Sequence, residues 1–189
     1  METKNIMIVG VGGQGTLLTS RILGGLMINA GFDVKLSEVH GMAQRGGSVV
    51  TFVRYGKKVY EPIVEEGQAD ILIAFERLEG LRYSHFLKEG GALILNDVRI
   101  DPMPVVTGAM EYPAEIKERL TENHKIYAVD ALSEAKKLGN SKVFNVIILG
   151  LAAKHMEFKP EEWLKVIEQT VPAKTVELNK RAFMAGYEL

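Results

Sequence analysis

Short apolar runs along the chain alternate with longer segments that have the apolar spacing of helices. The short runs, which predict strands, are residues 6–9, 32–36, 69–75, 92–96 and 125–129. The longer segments are residues 16–30, 77–87 and 114–122, with Gly90-Gly91 closing the second and a loop at 101–104. This alternation predicts parallel strands connected by right-handed helical crossovers.

The remaining pattern completes an α/β fold. Residues 48–55 and 59–63 flank Gly56-Lys57-Lys58 and predict an antiparallel hairpin at the edge of the sheet. After the last strand the chain is helical, in segments 133–138, 143–156, 160–171 and 175–184. The predicted fold is a three-layer, Rossmann-like, open and mostly parallel sheet with an antiparallel hairpin addition and C-terminal helices. No linker interrupts the pattern, so residues 1–189 are predicted to form a single domain.

The first helical segment, residues 16–30, is apolar on nearly every side. Its apolar side chains are Leu17, Leu18, Ile22, Leu23, Leu26, Met27 and Ile28. A helix of this kind is mostly buried, so we expect another helix or another subunit to cover its outer face.

A glycine-rich turn joins the first strand to the first helix and fits the G-x-G-x-x-G pattern in its strand–turn–helix context. Glycine permits positive φ and close approach, and the amides at a helix start attract anions. We predict that this turn binds a phosphate or carboxylate of a cofactor. The predicted binding residues are Gly10, Gly12, Gly13, Gln14 and Gly15. The alternative is that the glycines only pack the first helix against the sheet.

Residues 37–47 show neither a helical nor a strand period and are rich in groups that can contact a ligand. The candidates for an active-site or interface loop are Glu38, His40, Gly41, Met42, Gln44, Arg45, Gly46 and Gly47. The guanidinium of Arg45 can clamp a phosphate bidentately, or else form a structural ion pair with Glu38 or Asp70. For His40, contact with a ligand or partner and a purely structural role in the loop both stay open.

Composition excludes several classes of function. The chain is 47% hydrophobic and 25% charged with a net charge of −1, so nucleic acid is not an expected partner. It has no cysteine, which excludes disulfides and iron–sulfur clusters held by cysteine of this chain. Its N-terminus lacks a signal-peptide pattern, and no apolar run approaches the roughly 20 residues of a membrane span. We expect a cytoplasmic protein without a membrane partner.

Catalytic chemistry is not evident within this chain. The four histidines do not have metal-ligand spacing, and no nucleophile motif or carboxylate pair stands out. Glu38 follows Gly15 by 23 residues, which fits the ribose-binding acid of a dinucleotide fold, but a substrate domain is missing. Asn145, inside an apolar segment, is expected to bond the backbone of a neighbouring loop. We therefore predict no catalytic residue and no metal site here.

Together, the glycine turn Gly10–Gly15 and the string from Ser37 to Val49 resemble the gamma-type domain of the 2-oxoacid:ferredoxin oxidoreductases. Within that family the His40-Gly41-Met42-Ala43-Gln44 part is most similar to the small (beta) subunits of the indolepyruvate branch. The resemblance covers most of the chain. It implies oxidation of a 2-oxoacid with coenzyme A to an acyl-CoA and carbon dioxide, with ferredoxin as the electron acceptor.

The resemblance also implies a division of labour between subunits. Thiamine diphosphate and the iron–sulfur clusters are expected on a large (alpha) partner subunit, and this chain alone is expected to hold neither and to be inactive. In the leading hypothesis, the glycine turn and Arg45 either hold the phosphates of the co-substrate coenzyme A or only shape the interface with the partner. Two rival hypotheses remain: a self-sufficient nucleotide-binding Rossmann oxidoreductase and a nucleotide-sensing module.

Overall fold

The structure, a computed structural model, describes residues 2–41 and 46–189. Within these residues the strands are β1 (Lys4–Val11), β2 (Asp33–His40), β3 (Ser48–Gly56), β4 (Ala69–Ala74), β5 (Leu87–Asn96) and β6 (Lys125–Val129). The helices are α1 (Thr16–Asn29), α2 (Arg77–Tyr83), α3 (Met103–Val106), α4 (Ile116–Asn123), α5 (Ala131–Lys137), α6 (Phe144–Ala153), α7 (Pro160–Thr170) and α8 (Val176–Tyr187).

The strands form one mixed sheet in the order β2-β3-β1-β4-β5-β6. Strands β1, β4, β5 and β6 are parallel, while β3 is antiparallel to both of its neighbours, β1 and β2. The chain leaves β1 through α1 toward β2 and leaves β4 through α2 toward β5. The connections therefore diverge between β1 and β4, which makes the carboxyl ends of these strands the expected ligand-binding edge. The predicted α/β fold class, with an antiparallel hairpin added to a mostly parallel sheet, is confirmed.

The strands of the hairpin differ from the prediction. Strand β2 pairs with β3 from Asp33 opposite Gly56 to His40 opposite Val49, so the hairpin predicted between residues 48–55 and 59–63 is wrong. Residues 59–63 form no strand. Instead, the Val59 amide donates to the Asp33 carboxylate at 2.9 Å, and the neighbouring Tyr60 side chain is 88% exposed. A short alternating run with one solvent-facing aromatic residue did not supply enough buried surface for a strand.

Helices cover both faces of the sheet, giving the three predicted layers. Along β1, Ile6 and Ile8 pack against α1, α5, α6, α7 and α8, whereas Met7 and Val9 pack on the opposite side with α2 and α4. The cover expected over the first helix is α7, which approaches Gly25 so closely that an added Cβ would lie 3.0 Å from Val166. Helix α7 leaves part of α1 exposed at Leu17 and Ile28.

Two local predictions need correction. The second helix ends at Tyr83 and is followed by a 3₁₀ turn at Ser84–Phe86. Gly90-Gly91 therefore does not close a helix but lies inside β5, where Gly90 has φ +74° and the register with β4 shifts. Glycine at positive φ permits this bulge-like irregularity. The segment predicted as a loop at 101–104 includes the start of the one-turn helix α3.

Candidate functional site

The glycine turn lies at the carboxyl end of β1, and its glycines serve different purposes. At Gly10 an added Cβ would lie 2.8 Å from Oε1 of Gln14 and 2.9 Å from Cβ of Phe75, so Gly10 is required for packing. At Gly15, the N-cap of α1 with φ +87°, a Cβ would overlap Nδ2 of Asn145. Gly13 also has a positive φ, +96°, but the space where its Cβ would stand is open. The turn is therefore packed at both ends and accessible in the middle.

Gln14 fixes the shape of this turn through both atoms of its amide. Its Oε1 accepts a hydrogen bond from the Val11 amide at 2.7 Å, and its Nε2 donates to the Phe75 carbonyl at 2.9 Å. The side chain is buried. Gln14 therefore acts in this structure by holding the turn against the end of β4, and its amide is already engaged with the protein.

Asn96 extends the same arrangement to β5. Its Nδ2 donates to the Phe75 carbonyl at 3.1 Å, and its Oδ1 accepts from the Ala131 amide at 3.2 Å. The Phe75 carbonyl thus joins the ends of three strands, and the Asn96 side chain links them to the first residue of α5. Asn96 was not among the residues predicted to be functional, although it is a polar residue at the end of a buried apolar strand and could have been recognised from that position.

Asn145 confirms the expectation that it bonds to a neighbouring loop. Its Nδ2 donates to the Gly15 carbonyl at 3.4 Å, and its Oδ1 accepts from the Val146 amide at 3.0 Å. The contact links α6 to the start of α1. A buried amide inside an apolar helix thus has its partner in the turn that the sequence marked as functional.

Unpaired amides lie at the exposed Gly13 and at the more buried start of α1. Among the described residues, the amides of Gly13, Gly15 and Thr16 have no hydrogen-bond partner. They precede or begin α1, where the positive end of the helix dipole adds to their attraction for an anion. The amide of Gly12, in contrast, donates to the Gly47 carbonyl at 2.9 Å and is not free for a ligand.

The same bond brings the second sequence motif to the turn. Gly47 contacts Gly12, and the Gly41 amide donates to the Ser48 carbonyl at 3.1 Å, so both ends of the loop are held beside the glycine turn. Gly46 has φ +87° and is exposed. Met42, Gln44 and Arg45 lie outside the described residues, and their roles stay predictions.

Glu38 and His40 do not lie in an irregular loop, as the sequence suggested, but in strand β2. The strand predicted at 32–36 thus continues to His40, because β2 pairs with β3 along its whole length. His40 Nε2 lies 2.9 Å from Glu38 Oε1; the histidine side chain is 60% exposed and that of Glu38 10%. The pair is positioned on the edge strand next to the loop, with His40 open to a partner.

Two buried carboxylates, Glu76 at the N-cap of α2 and Glu79 in its first turn, bond to the segments on either side of the site. Glu79 Oε2 accepts from Ser48 Oγ at 2.5 Å, and its Oε1 accepts from Arg82 at 2.7 Å. Burial raises the pKa of Glu79, opposed by the bonds from Ser48 and Arg82. Glu76 Oε1 accepts from the Ile100 amide at 3.1 Å and from Tyr112 Oη at 2.6 Å. Neither carboxylate was singled out in the sequence, where both appear as ordinary acids at a helix start.

A small apolar pocket of about 240 Å³ opens next to the turn. It is lined by Gly13, Gln14, Asn96, Val98, Ile100, Leu132 and Phe144. Typical pockets for whole cofactors measure roughly 300–1,000 Å³. The pocket therefore suits one apolar part of a ligand whose anionic part lies at the free amides.

The geometry does not favour a plain dinucleotide-binding site. In that fold the acid-bearing second strand lies beside the first, whereas here β3 lies between β1 and β2. At about 4.8 Å per strand, Glu38 is displaced by roughly 10 Å from the strand that carries the glycine turn. Glu38 therefore has the sequence spacing of a ribose-binding acid but not the position in the sheet that ribose binding needs.

Residues 2–41 and 46–189 contain no group of three or more His, Asp or Glu side chains placed to hold a metal ion. Across the same residues, none of the helices has the length and apolar character needed to cross a bilayer. With no cysteine in the sequence, the donor set does not fit an iron–sulfur cluster in this chain.

Comparison with known proteins agrees with this architecture. A family model described as pyruvate ferredoxin/flavodoxin oxidoreductase matches residues 5–189. The chain is 42% identical over 192 residues to the indolepyruvate oxidoreductase subunit IorB of Thermococcus kodakarensis, and equally to that of Pyrococcus horikoshii, covering 98% of this chain and 95% of each relative. Its structure is similar to the gamma subunit of keto/oxoacid ferredoxin oxidoreductase from Geobacter sulfurreducens, with a TM-score of 0.73, 27% identity and coverage of 98% of this chain and 96% of that chain. The chain therefore belongs to the pyruvate ferredoxin/flavodoxin oxidoreductase family.

Proposed function

We propose that this chain is the small subunit of a cytoplasmic 2-oxoacid:ferredoxin oxidoreductase that acts on indolepyruvate or a related arylpyruvate. The complex converts the oxoacid and coenzyme A to an acyl-CoA and carbon dioxide and passes the electrons to ferredoxin. Identity of 42% to IorB over nearly the whole of both chains supports the branch. The sequence string His40-Gly41-Met42-Ala43-Gln44, which resembles the small subunits of that branch, supports it as well.

The large subunit carries the redox groups in this proposal. The absence of cysteine from this sequence requires another chain to hold the iron–sulfur clusters. Thiamine diphosphate, bound there, supplies the carbanion stabilisation that decarboxylation of a 2-oxoacid needs. The small subunit then contributes binding and positioning rather than a reacting group.

Coenzyme A is the ligand that we assign to the glycine turn. The observation that carries this assignment is a set of three amides, at Gly13, Gly15 and Thr16, that have no hydrogen-bond partner among the described residues. They lie on a turn held rigid by Gln14 and Asn145. Phosphates of coenzyme A match such amides, and the adjoining apolar pocket admits a non-polar part of the same molecule. Because the pocket holds only a part, the partner subunit is needed to enclose the rest. Arg45 would supply a charge-assisted contact to the same phosphates.

The test is steady-state kinetics of the assembled enzyme with Arg45→Ala. Loss of a charged phosphate contact should raise the apparent KM for coenzyme A roughly tenfold and leave the KM for indolepyruvate unchanged. Arg181→Ala, which removes an exposed guanidinium from α8, is the matched control and should change neither value. An unchanged KM for coenzyme A in Arg45→Ala would remove the phosphate role of Arg45.

A second measurement separates the proposal from its rivals. Purified chain is titrated with NADH while fluorescence is followed, and a parallel purification retains any bound protein. We expect no saturable NADH binding and recovery of a large partner that contains iron–sulfur clusters. Tight NADH binding by the isolated chain would favour the nucleotide-binding oxidoreductase or the sensing module.

A further inference from the structure

We propose that the loop between β5 and α4 carries the surface on which the large subunit docks. The surface, here called the apolar platform, consists of Ile100, Met103, Val106 and Met110. The inference rests on the proposed function, because it takes the thiamine-bearing large subunit as the partner. It goes further than that function by naming the part of this chain that the partner covers.

The four side chains of the apolar platform are exposed although they are large and apolar. Their exposed fractions are 36% for Ile100, 66% for Met103, 63% for Val106 and 65% for Met110. Single exposed apolar residues are common on protein surfaces, but a group of them within eleven residues indicates an interaction site. Methionine is enriched at interfaces, where its flexible side chain adapts to a partner.

The backbone of the loop brings Met103, Val106 and Met110 close together. Met103 and Val106 are three residues apart on the one-turn helix α3 and therefore share a side. The Met110 amide donates to the Pro104 carbonyl at 3.0 Å, which folds the following chain back onto α3. Thr107 Oγ1 also donates to the Met103 carbonyl at 3.0 Å and caps the turn. The apolar platform is a fixed arrangement rather than an extended strand of exposed residues.

Glu76 holds the loop at both of its ends. This carboxylate is 1% exposed and accepts from the Ile100 amide at one end and from Tyr112 Oη at the other. The guanidinium of Arg99 lies 4.2 Å from the centre of the Tyr112 ring and covers the aromatic face. The buried carboxylate of Glu76 thus fixes the loop so that the apolar side chains stay exposed to solvent in the isolated chain.

Position and charge indicate the occupant. Ile100 belongs both to the apolar platform and to the lining of the pocket beside Gly13 and Gln14, so a protein that covers the platform also closes the pocket. Exposed carboxylates flank these residues along the chain at Asp101, Glu111 and Glu115, and Arg99 is paired to Asp101 at 2.6 Å. A second copy of this chain would oppose one acidic rim with another. The platform fits a partner surface that is apolar and bordered by basic side chains, and we assign that surface to the large subunit.

The test measures the affinity of this full-length chain for the purified large subunit. Met103→Glu puts a charge at the centre of the platform and should raise the Kd at least roughly 30-fold, as expected for a central interface residue. Met103→Leu preserves the apolar contact and should stay within about threefold of wild type. Tyr60→Glu is the matched control, because Tyr60 is 88% exposed and follows β3 near the opposite edge of the sheet. It should also stay within about threefold.

Each outcome has a separate meaning. If wild type binds the large subunit and Met103→Glu binds equally well while its thermal unfolding is unchanged, the assignment of the platform is overturned and the proposed function stands. If wild type does not bind the large subunit, the proposed function fails and this inference fails with it. If the isolated chain forms a dimer that Met103→Glu dissociates, the surface is a self-association site and the proposal is overturned.

Discussion

The sheet has two unequal halves. Strand β1 in the parallel half is buried along seven of its eight residues, whereas no residue of β2 in the antiparallel half is fully buried. In the parallel half, Gln14 and Asn96 converge on the Phe75 carbonyl and lock three strand ends together. In the antiparallel half, β2 is an edge strand that carries Glu38 and His40 toward the loop.

The two halves therefore have different roles: the parallel half supports the site, and the antiparallel half supplies contacts. The parallel half fixes the backbone of the glycine turn through buried hydrogen bonds that exclude water. The antiparallel half brings a polar, glycine-rich motif to that turn through two anchors, Gly12 to Gly47 and Glu79 to Ser48. Substitutions in the parallel half should therefore cost stability, while those in the antiparallel half should cost less stability and act on binding.

The largest expected effect is at Gly15. Gly15→Ala forces a side chain into positive φ and displaces the Asn145 amide, so we expect a loss of roughly 3 kcal/mol in the free energy of unfolding. Gly13→Ala is the matched change, with similar φ but open space, and should lose only about 1 kcal/mol. Urea unfolding of both variants measures the difference. Equal losses would mean that the contact with Asn145 contributes nothing.

The next effect concerns the bonds at the Phe75 carbonyl. Asn96→Ala leaves the buried Ala131 amide without its partner, so a loss of about 2 kcal/mol is expected. Asn123→Ala, at an exposed helix end, should change the free energy of unfolding by less than about 0.5 kcal/mol. Chemical denaturation at neutral pH compares the two. If Asn96→Ala were as stable as wild type, the parallel half would not depend on this clamp.

A smaller effect is expected at the anchor of the antiparallel half. Ser48→Ala removes one donor to the buried carboxylate of Glu79, which keeps Arg82, so the expected loss is about 1 kcal/mol. A double-mutant cycle with Glu79→Gln isolates the pair, and the two losses should not add. Strict additivity would show that Ser48 and Glu79 act independently and would weaken the anchor between β3 and α2.

The smallest effect is a pH dependence at the start of β2. The bonds from the Val59 amide and Lys35 lower the pKa of Asp33 to about 2 from its usual value of 3.8. A depressed pKa means that the ionised form stabilises the fold above the unfolded-state value, and that this is lost as pH falls from about 4 to about 2. Asp33→Asn should flatten the stability profile in that window and leave it unchanged near pH 7 apart from a constant offset. A profile that keeps its wild-type slope would assign the acid sensitivity to other carboxylates.

Much of the parallel half was predictable from the sequence, because buried parallel strands are continuous apolar runs with helices between them. The strand at 125–129 matches β6, and the helix predicted from residue 16 begins at Thr16. The glycine pattern predicted an anion-binding turn, with packing of the first helix as the alternative, and the structure shows close packing at Gly10 and Gly15. That residues 1–189 form a single domain, and which of the motif residues contact a ligand, stay predictions.

The antiparallel half could not be predicted in the same way. The strand predicted at 32–36 is the first part of edge strand β2, but Leu36 and Val39 are both exposed, so the alternation did not reveal that the strand continues to His40. Its partner β3 lies between β2 and β1. This strand order depends on pairing between distant segments, which local periodicity does not predict. For a related reason the sequence did not mark Glu76, Glu79 or Asn96 as important. Their hydrogen-bond partners, Tyr112, Ser48 and Phe75, are distant from them in the chain.

The most direct measurement of the central claim reconstitutes the enzyme from separate subunits. Purified chain is added to the large subunit with indolepyruvate and coenzyme A, and ferredoxin reduction and acyl-CoA formation are followed as the chain is titrated. The account predicts no turnover by the chain alone and activity that rises to saturation at a fixed ratio of the two subunits. Turnover of a 2-oxoacid by the isolated chain, or full activity of the large subunit without it, would contradict the account.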